Sequence, residues 1–183
     1  MARNIEIKAR VPSLDALLPR VRELADRSPE LIAQDDTFFA CASGRLKLRV
    51  FAAGRGELIA YARPDSTGPK ACDYLITPVA DPESLRATLS RALGVCGRVV
   101  KQRTLFLVGH TRVHLDRVDG LGEFLELEVV LNDGEDETRG VAEAHALLRR
   151  LQVDASQLVA GAYVDLLAAR RSEATQGAAI IRA

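Results

Sequence analysis

Tryptophan is missing from this chain, and the only methionine is its first residue. Aromatic residues come to three tyrosines and five phenylalanines, mostly at apolar positions, in 183 residues. A platform that stacks nucleic-acid bases needs several exposed rings, so these counts argue against one. A surplus of one charge is missing as well. The 25 basic residues are balanced by 25 acidic ones, and the formal net charge is zero. A non-specific nucleic-acid coat or a membrane-surface protein is usually more basic, so any anion site must come from local clustering of charge. Cysteines are few, Cys41, Cys72 and Cys96, far apart and with no C-x-x-C pair. This fits a reducing compartment with the thiols as small buried apolar groups. No apolar run approaches a membrane span, and the N-terminus has no apolar signal core. The expected location is cytoplasmic, with no membrane and no nucleic-acid partner. There is no G-x-x-x-x-G-K-[ST] phosphate loop.

What is present is enough apolar residue, 48%, for a sizeable core in one domain. The domain is expected over 1–170, with 171–183 a flexible tail. The first strand spans roughly 3–11. "PSLDALLPRVRELAD" follows as a helix capped by Ser13, with Leu14, Leu17, Leu18, Val21 and Leu24 on one stripe and Pro19 kinking or shortening it. "AQDDTFFACA" and "GRLKLRVFAA" read as strands around a Ser43-Gly44 turn. "GRGE" is a hairpin loop into "LIAYARPD", and "KACDYLITPV" is a further strand. Asp81-Pro82-Glu83 starts a helix with Leu85, Leu89 and Leu93 as its stripe, ended by Gly94. Three more strands follow, at "GRVVKQRTLFLV", "TRVHLDRVDG" and "EFLELEVVL". Residues 135–151 form a helix and 155–170 a further short helical region. The class is α+β, with about eight mostly antiparallel strands.

The strands share one peculiarity. Asn4, Glu6, Lys8 and Arg10 alternate with apolar residues. So do Arg45, Lys47 and Arg49; Glu57, Tyr61 and Arg63; Lys101 and Arg103; Arg112, His114 and Asp116; and Glu126 and Glu128. One reading is an ordinary sheet with a wet exterior. Two arguments favour another. Solvated faces mix signs, whereas here bases gather on some strands and a Glu pair on the last, and like charges spaced about 7 Å apart are tolerable under a polyanion. The amphipathic helices also need apolar surface to cover. If they take the apolar sides of the strands, the charged sides face inward in a closed barrel. Bases with a few carboxylates are what a metal–polyphosphate complex requires.

"NIEIK" resembles the E-x-E-x-K signature of the CYTH, or triphosphate tunnel metalloenzyme, superfamily. The likeness continues through "QDDTFF", "RLKLR", "YARPD", "VVKQRTLF", "RVHLDRVDGLGEFLELE" and "AYVDLL", in the family's order and over about residues 1–167. It is closest to the class IV adenylate cyclase-like branch through "KQR … GLG". The resemblance implies a closed eight-stranded antiparallel β-barrel with helices outside, and a divalent-metal-dependent enzyme acting on a triphosphate. Its implied cofactor is Mg²⁺ or Mn²⁺; its implied substrates are ATP, tripolyphosphate or thiamine triphosphate. It carries over Lys8, Lys101 and Arg103 as catalytic residues. Arg45, Lys47, Arg49, Arg63 and Arg112 are the substrate-binding residues it implies. The implied metal ligands are Glu6, Glu126 and Glu128, with Asp116 directly or through water. Asn4 stands where the signature has its first Glu, offering an amide oxygen without charge.

The branch implies conversion of ATP to cyclic AMP and pyrophosphate. Hydrolysis of an inorganic or organic triphosphate uses the same apparatus, and a non-catalytic polyphosphate or nucleotide sensor is the third reading. A homodimer is compatible with each. His110 and His114, four apart, share a strand face and are two potential zinc ligands without a third. Tyr163 and Asp165 are expected to lock the C-terminal helix over one tunnel mouth.

Overall fold

The alternation closes into a tunnel. A computed structural model describes residues 2–132 and 134–180. Its strands are β1 (Ala2–Arg10), β2 (Glu30–Phe39), β3 (Arg45–Phe51), β4 (Gly56–Ala62), β5 (Lys70–Val79), β6 (Val95–Val108), β7 (Thr111–Val118) and β8 (Gly122–Leu131). They form one closed barrel in the order β1-β5-β4-β3-β2-β6-β7-β8, every neighbouring pair antiparallel. Register sets inward charges opposite one another: Glu6 faces Glu128, Lys8 faces Glu126, Asp36 faces Arg49 and Arg103 faces Asp116. A one-residue slip in any strand would turn its charges outward.

Helices α1 (Leu14–Leu24) and α3 (Glu137–Leu151) cover the outside of β1, β7 and β8. Ile5, Ile7, Val113, Leu115, Leu125, Leu127 and Val129 meet Leu14, Leu17, Val21, Ala144, Leu147, Leu148 and Leu151 in the main core. Each such buried Val, Leu or Ile side chain contributes about 1.5–3 kcal/mol. Ser13 Oγ caps α1 by accepting from Ala16 N at 3.2 Å, and the helix runs on through Pro19 to Leu24. At Gly140, α3 comes so close to β1 that a Cβ there would lie 2.7 Å from Ile5 Cγ1, so a side chain would push the two apart.

Helix α2 (Pro82–Leu93) starts at the expected cap: Asp81 Oδ1 accepts from Ser84 N at 3.0 Å. Its leucine stripe is not buried as expected. Leu85 and Leu89 are half-buried and Leu93 is exposed, because α2 lies mainly against β2 and β3. The outer face of β4 and β5 carries exposed Ala60, Leu75 and Thr77. The cysteines also differ from expectation: Cys72 is buried, but Cys41 and Cys96 are exposed, since both lie near strand ends.

The expected helix over 155–170 is broken in two. After a 3₁₀ turn at Ala155–Gln157 the chain pairs with the end of β1, Val159 N donating to Lys8 O at 2.9 Å, which diverts it from helical geometry. Helix α4 (Tyr163–Ile180) then starts across one end of the barrel and includes residues 171–180; residues 181–183 of the expected tail lie outside the described residues. No helix among the described residues is long and apolar enough to cross a membrane.

Candidate active site

The inward side chains surround a cavity of about 950 Å³. Its deep end lies at the end of β1 and the start of β6. There Phe38, Val99, Ala162 and Tyr163 pack together as part of a second apolar cluster. Gly97 permits that closure, since a Cβ on it would lie 2.5 Å from Val164 Cγ2. The opposite end, at the start of β2 and the end of β5, is the mouth.

Two aspartates organise the bases. Asp36 on β2 accepts from Lys47 Nζ at 2.8 Å and from Arg49 Nε and Nη2 at 2.8 and 2.9 Å. Burial alone would raise its pKa; Arg49 and Lys47 more than reverse that and hold it far below the usual range. Asp116 on β7 is fully buried. It accepts from Arg103 at 2.7 and 2.6 Å, from Lys101 at 2.8 Å and from the Tyr163 hydroxyl at 3.0 Å. Lys8 and Lys101 lie over the Tyr163 ring, 4.4 and 4.9 Å from its centroid, a favourable placement for a cation. Burial and the neighbouring Arg103 push the Lys101 amine down to about 8. Lys8 moves the other way: burial opposes its charge, but Glu126 and Glu6 raise its pKa.

A second acidic group gathers on β1 and β8. Lys8 Nζ lies 3.0 Å from Glu126 and 3.4 Å from Glu6. Arg103 donates to Glu126 Oε1 at 2.9 Å and so bridges it to Asp116. Arg112 Nε is 2.9 Å from Glu128 as an ion pair without hydrogen-bond alignment, and its Nη2 donates to the Tyr74 hydroxyl at 3.2 Å. His114 Nδ1 is 3.4 Å from Glu126 and 3.7 Å from Glu128. Burial works against both glutamates' charge, yet Lys8 and Arg103 at Glu126, and His114 and Arg112 at Glu128, hold them ionised below the usual range. Asn4 is buried beside them, and its Oδ1 has no hydrogen-bond partner among the described residues.

Eleven of the thirteen expected site residues line this one cavity: Asn4, Glu6, Lys8, Lys47, Arg49, Arg63, Lys101, Arg103, Arg112, Glu126 and Glu128. Two do not. Arg45 lies beyond the deep end, paired with Asp65 at 2.6 Å and Asp165 at 2.8 Å. Asp116 sits behind the bases it anchors, away from the cavity surface. Asp36 was missed by the sequence reading, although its alternation with Gln34 and Phe38 carries the signal. It also corrects the segregation of signs inferred from the strands, because it neutralises Lys47 and Arg49 from across the register. The histidines do not share a face: His110 sits in the β6–β7 turn, 3.1 Å from Glu143 of α3, while His114 points into the cavity.

A model of the CYTH domain matches residues 2–163. The chain belongs to the CYTH domain family. Among solved structures, this CYTH barrel is similar to the PH1012 protein of Pyrococcus horikoshii, at 23% identity and a TM-score of 0.80, covering 90% of this chain and 99% of that one. A candidate adenylate cyclase of Vibrio parahaemolyticus gives 23% identity and 0.72, over 90% and 97%. The Hippeastrum protein HpAC1, described as having a dominant triphosphatase activity, gives 15% and 0.66, over 92% and 96%. No curated protein sequence matches. At these identities the structures establish the fold.

CYTH proteins are metal-dependent, and the residues present fit a hard divalent ion. Ligand atoms of His114, Glu126 and Glu128 lie within 4.8 Å of one another, Glu6 stands opposite Glu128, and the Asn4 oxygen is unpartnered. Carboxylate and amide oxygens are the donors Mg²⁺ and Mn²⁺ accept.

Proposed function

We propose that this CYTH protein is a divalent-metal-dependent enzyme that processes a triphosphate inside its barrel, in the manner of the class IV adenylate cyclases. The observation that supports it most is the convergence of seven predicted bases and three predicted glutamates on one closed-ended cavity. Lys8, Lys47, Arg49, Arg63, Lys101, Arg103 and Arg112 bind phosphate oxygens and spread their charge. Asp36 and Asp116 hold four of these bases in fixed geometry, so little reorganisation is needed as charge shifts during phosphoryl chemistry. Eight bases and six acids line the cavity, a formal surplus of only two. A triphosphate carries more negative charge than that, and a divalent ion held by Glu6, Glu126, Glu128 and Asn4 supplies the remainder and the Lewis acidity.

In the cyclase reaction the ribose 3′-hydroxyl of ATP attacks the α-phosphorus and pyrophosphate leaves. In the second reading, water attacks the terminal phosphorus of an inorganic or organic triphosphate; the likeness to HpAC1 supports it. The protein works in the cytoplasm, consistent with its unpaired cysteines, on a small molecule.

The test is to offer the purified protein ATP, tripolyphosphate and thiamine triphosphate with Mg²⁺ or Mn²⁺ and identify the products. Cyclic AMP with pyrophosphate supports the cyclase; orthophosphate supports the triphosphatase. Consumption of none of the three, with binding retained, overturns the enzyme and leaves a sensor.

A further inference from the structure

Strand β7 meets the two glutamates of β8 with two different side chains. The register sets Arg112 opposite Glu128 and His114 opposite Glu126. Arg112 pairs with Glu128 through Oε2, at 2.9 Å. His114 is buried and lines the cavity, its Nδ1 3.4 Å from Glu126 Oε1 and 3.7 Å from Glu128 Oε1. One ring nitrogen therefore stands between the two carboxylates.

An ion pair does not account for that place. Glu126 already has Lys8 Nζ at 3.0 Å and Arg103 Nη2 at 2.9 Å, so it needs no third cation to hold its charge. An ordinary N–H···O bond spans about 2.7–3.2 Å, and both histidine separations exceed it. They match donors around one ion instead. Ligand atoms each about 2.0–2.2 Å from a divalent metal stand about 3 Å apart at right angles and about 4 Å apart when opposed. Asn4 Oδ1 is an independent sign of a missing partner: Asn4 is 4% exposed, lines the same cavity from β1, and that oxygen has no hydrogen-bond partner among the described residues.

Resting on the metal-dependent reading, we infer that His114 Nδ1 is a nitrogen ligand of the bound ion, and that it makes the site select a first-row transition ion such as Mn²⁺ or Co²⁺ over Mg²⁺. Mg²⁺ is held by oxygen and gains little from imidazole, whereas the later divalent ions gain progressively more. Asn4 works in the same direction, because its amide brings no charge to a small hard ion. A lone pair on Nδ1 requires the ring proton on Nε2.

Pulsed electron paramagnetic resonance of Mn²⁺ with protein in excess tests this without turnover. The echo modulation of the wild type should carry the coupling of a directly bound nitrogen. Histidine labelled with the heavy nitrogen isotope should change that coupling. His114→Asn, which offers an oxygen near the place of Nδ1, should still bind Mn²⁺ and lose the coupling. The chain has three histidines, and His110→Asn and His145→Asn, both at exposed positions, should keep it. These two assign the nitrogen to His114 even if His114→Asn does not fold. In competition titrations the preference for Co²⁺ over Mg²⁺ should fall about tenfold in His114→Asn. Bound Mn²⁺ without nitrogen coupling in the wild type overturns the ligand and leaves the metal site standing. So does a coupling that survives His114→Asn. If Mn²⁺ stays as the free aqua ion, the metal-dependent reading falls and the ligand with it.

Discussion

Seven outward side chains of β1, β7 and β8 are at most 3% exposed beneath α1 and α3, from Ile5 to Val129. On the other side of the same barrel β4 and β5 turn Ala60, Ala62, Leu75 and Thr77 into solvent. The backed arc carries Asn4, Glu6, His114, Glu126 and Glu128; the bare arc carries Tyr61, Arg63, Cys72 and Tyr74. The acids that would repel one another most are thus mounted on the part of the wall whose backbone is pinned by close packing. The bare arc has no such backing and forms part of the mouth. The barrel pairs a preorganised acidic wall with a less constrained one.

The largest effect that would sharpen this comparison is chemical. Glu128→Gln keeps shape and removes one charge from the pinned wall. Metal-dependent turnover should fall about 10²- to 10³-fold while metal-free tripolyphosphate binding persists or tightens. Rate assays beside calorimetry separate the two, and near-normal turnover removes Glu128 from the machinery. Next comes stability. Leu127→Ala in the backed arc should cost about 2–5 kcal/mol, whereas Leu75→Ala on the bare arc should stay within about 0.5 kcal/mol. Urea unfolding of both decides it, and equal losses would break the contrast.

Smaller is the effect of restoring the signature acid. Asn4→Glu should raise Mn²⁺ affinity without substrate about tenfold, on the order of 1.4 kcal/mol. Equal titration curves would show that Asn4 does not reach the ion. The smallest effect is on pH. Lys101 titrates at about 8 in the free protein, and a bound anion favours its charged form. Raising the pH removes the proton that the bound state retains, so tripolyphosphate affinity should drop about threefold between about pH 7.5 and 8.5. Lys101→Arg should flatten that segment of the profile.

Much of this was legible in the alternation. Period-two charge in Asn4–Lys8, Arg45–Arg49 and Glu126–Glu128, with helices needing apolar faces, implied an inward charged surface, and the family likeness implied its closure. What stayed hidden depends on register and ends. Arg45 has the parity of Lys47 and Arg49, but it sits one pair further along β3, beyond the cap, where Asp65 and Asp165 hold it. Asp36 has the right parity too; its role exists only because β2 faces β3 at Arg49. His110 and His114 are four apart in sequence, yet a turn intervenes. Tyr163 was expected to lock a helix, and the lock itself, a hydroxyl on Asp116 beneath two lysines, requires contacts across 47 residues of chain.

The claim that the bore holds a triphosphate is tested most directly by titrating tripolyphosphate into the wild type, Lys101→Ala and Arg91→Ala. Lys101 faces the cavity and its loss leaves Asp116 with Arg103 and Tyr163; Arg91 is exposed on α2. A charge-assisted contact contributes about 1.5–3 kcal/mol, so Lys101→Ala should weaken binding by about one to two decades, with Arg91→Ala matching the wild type. Equal affinity in all three would contradict the account, because the anion would then lie somewhere other than the barrel.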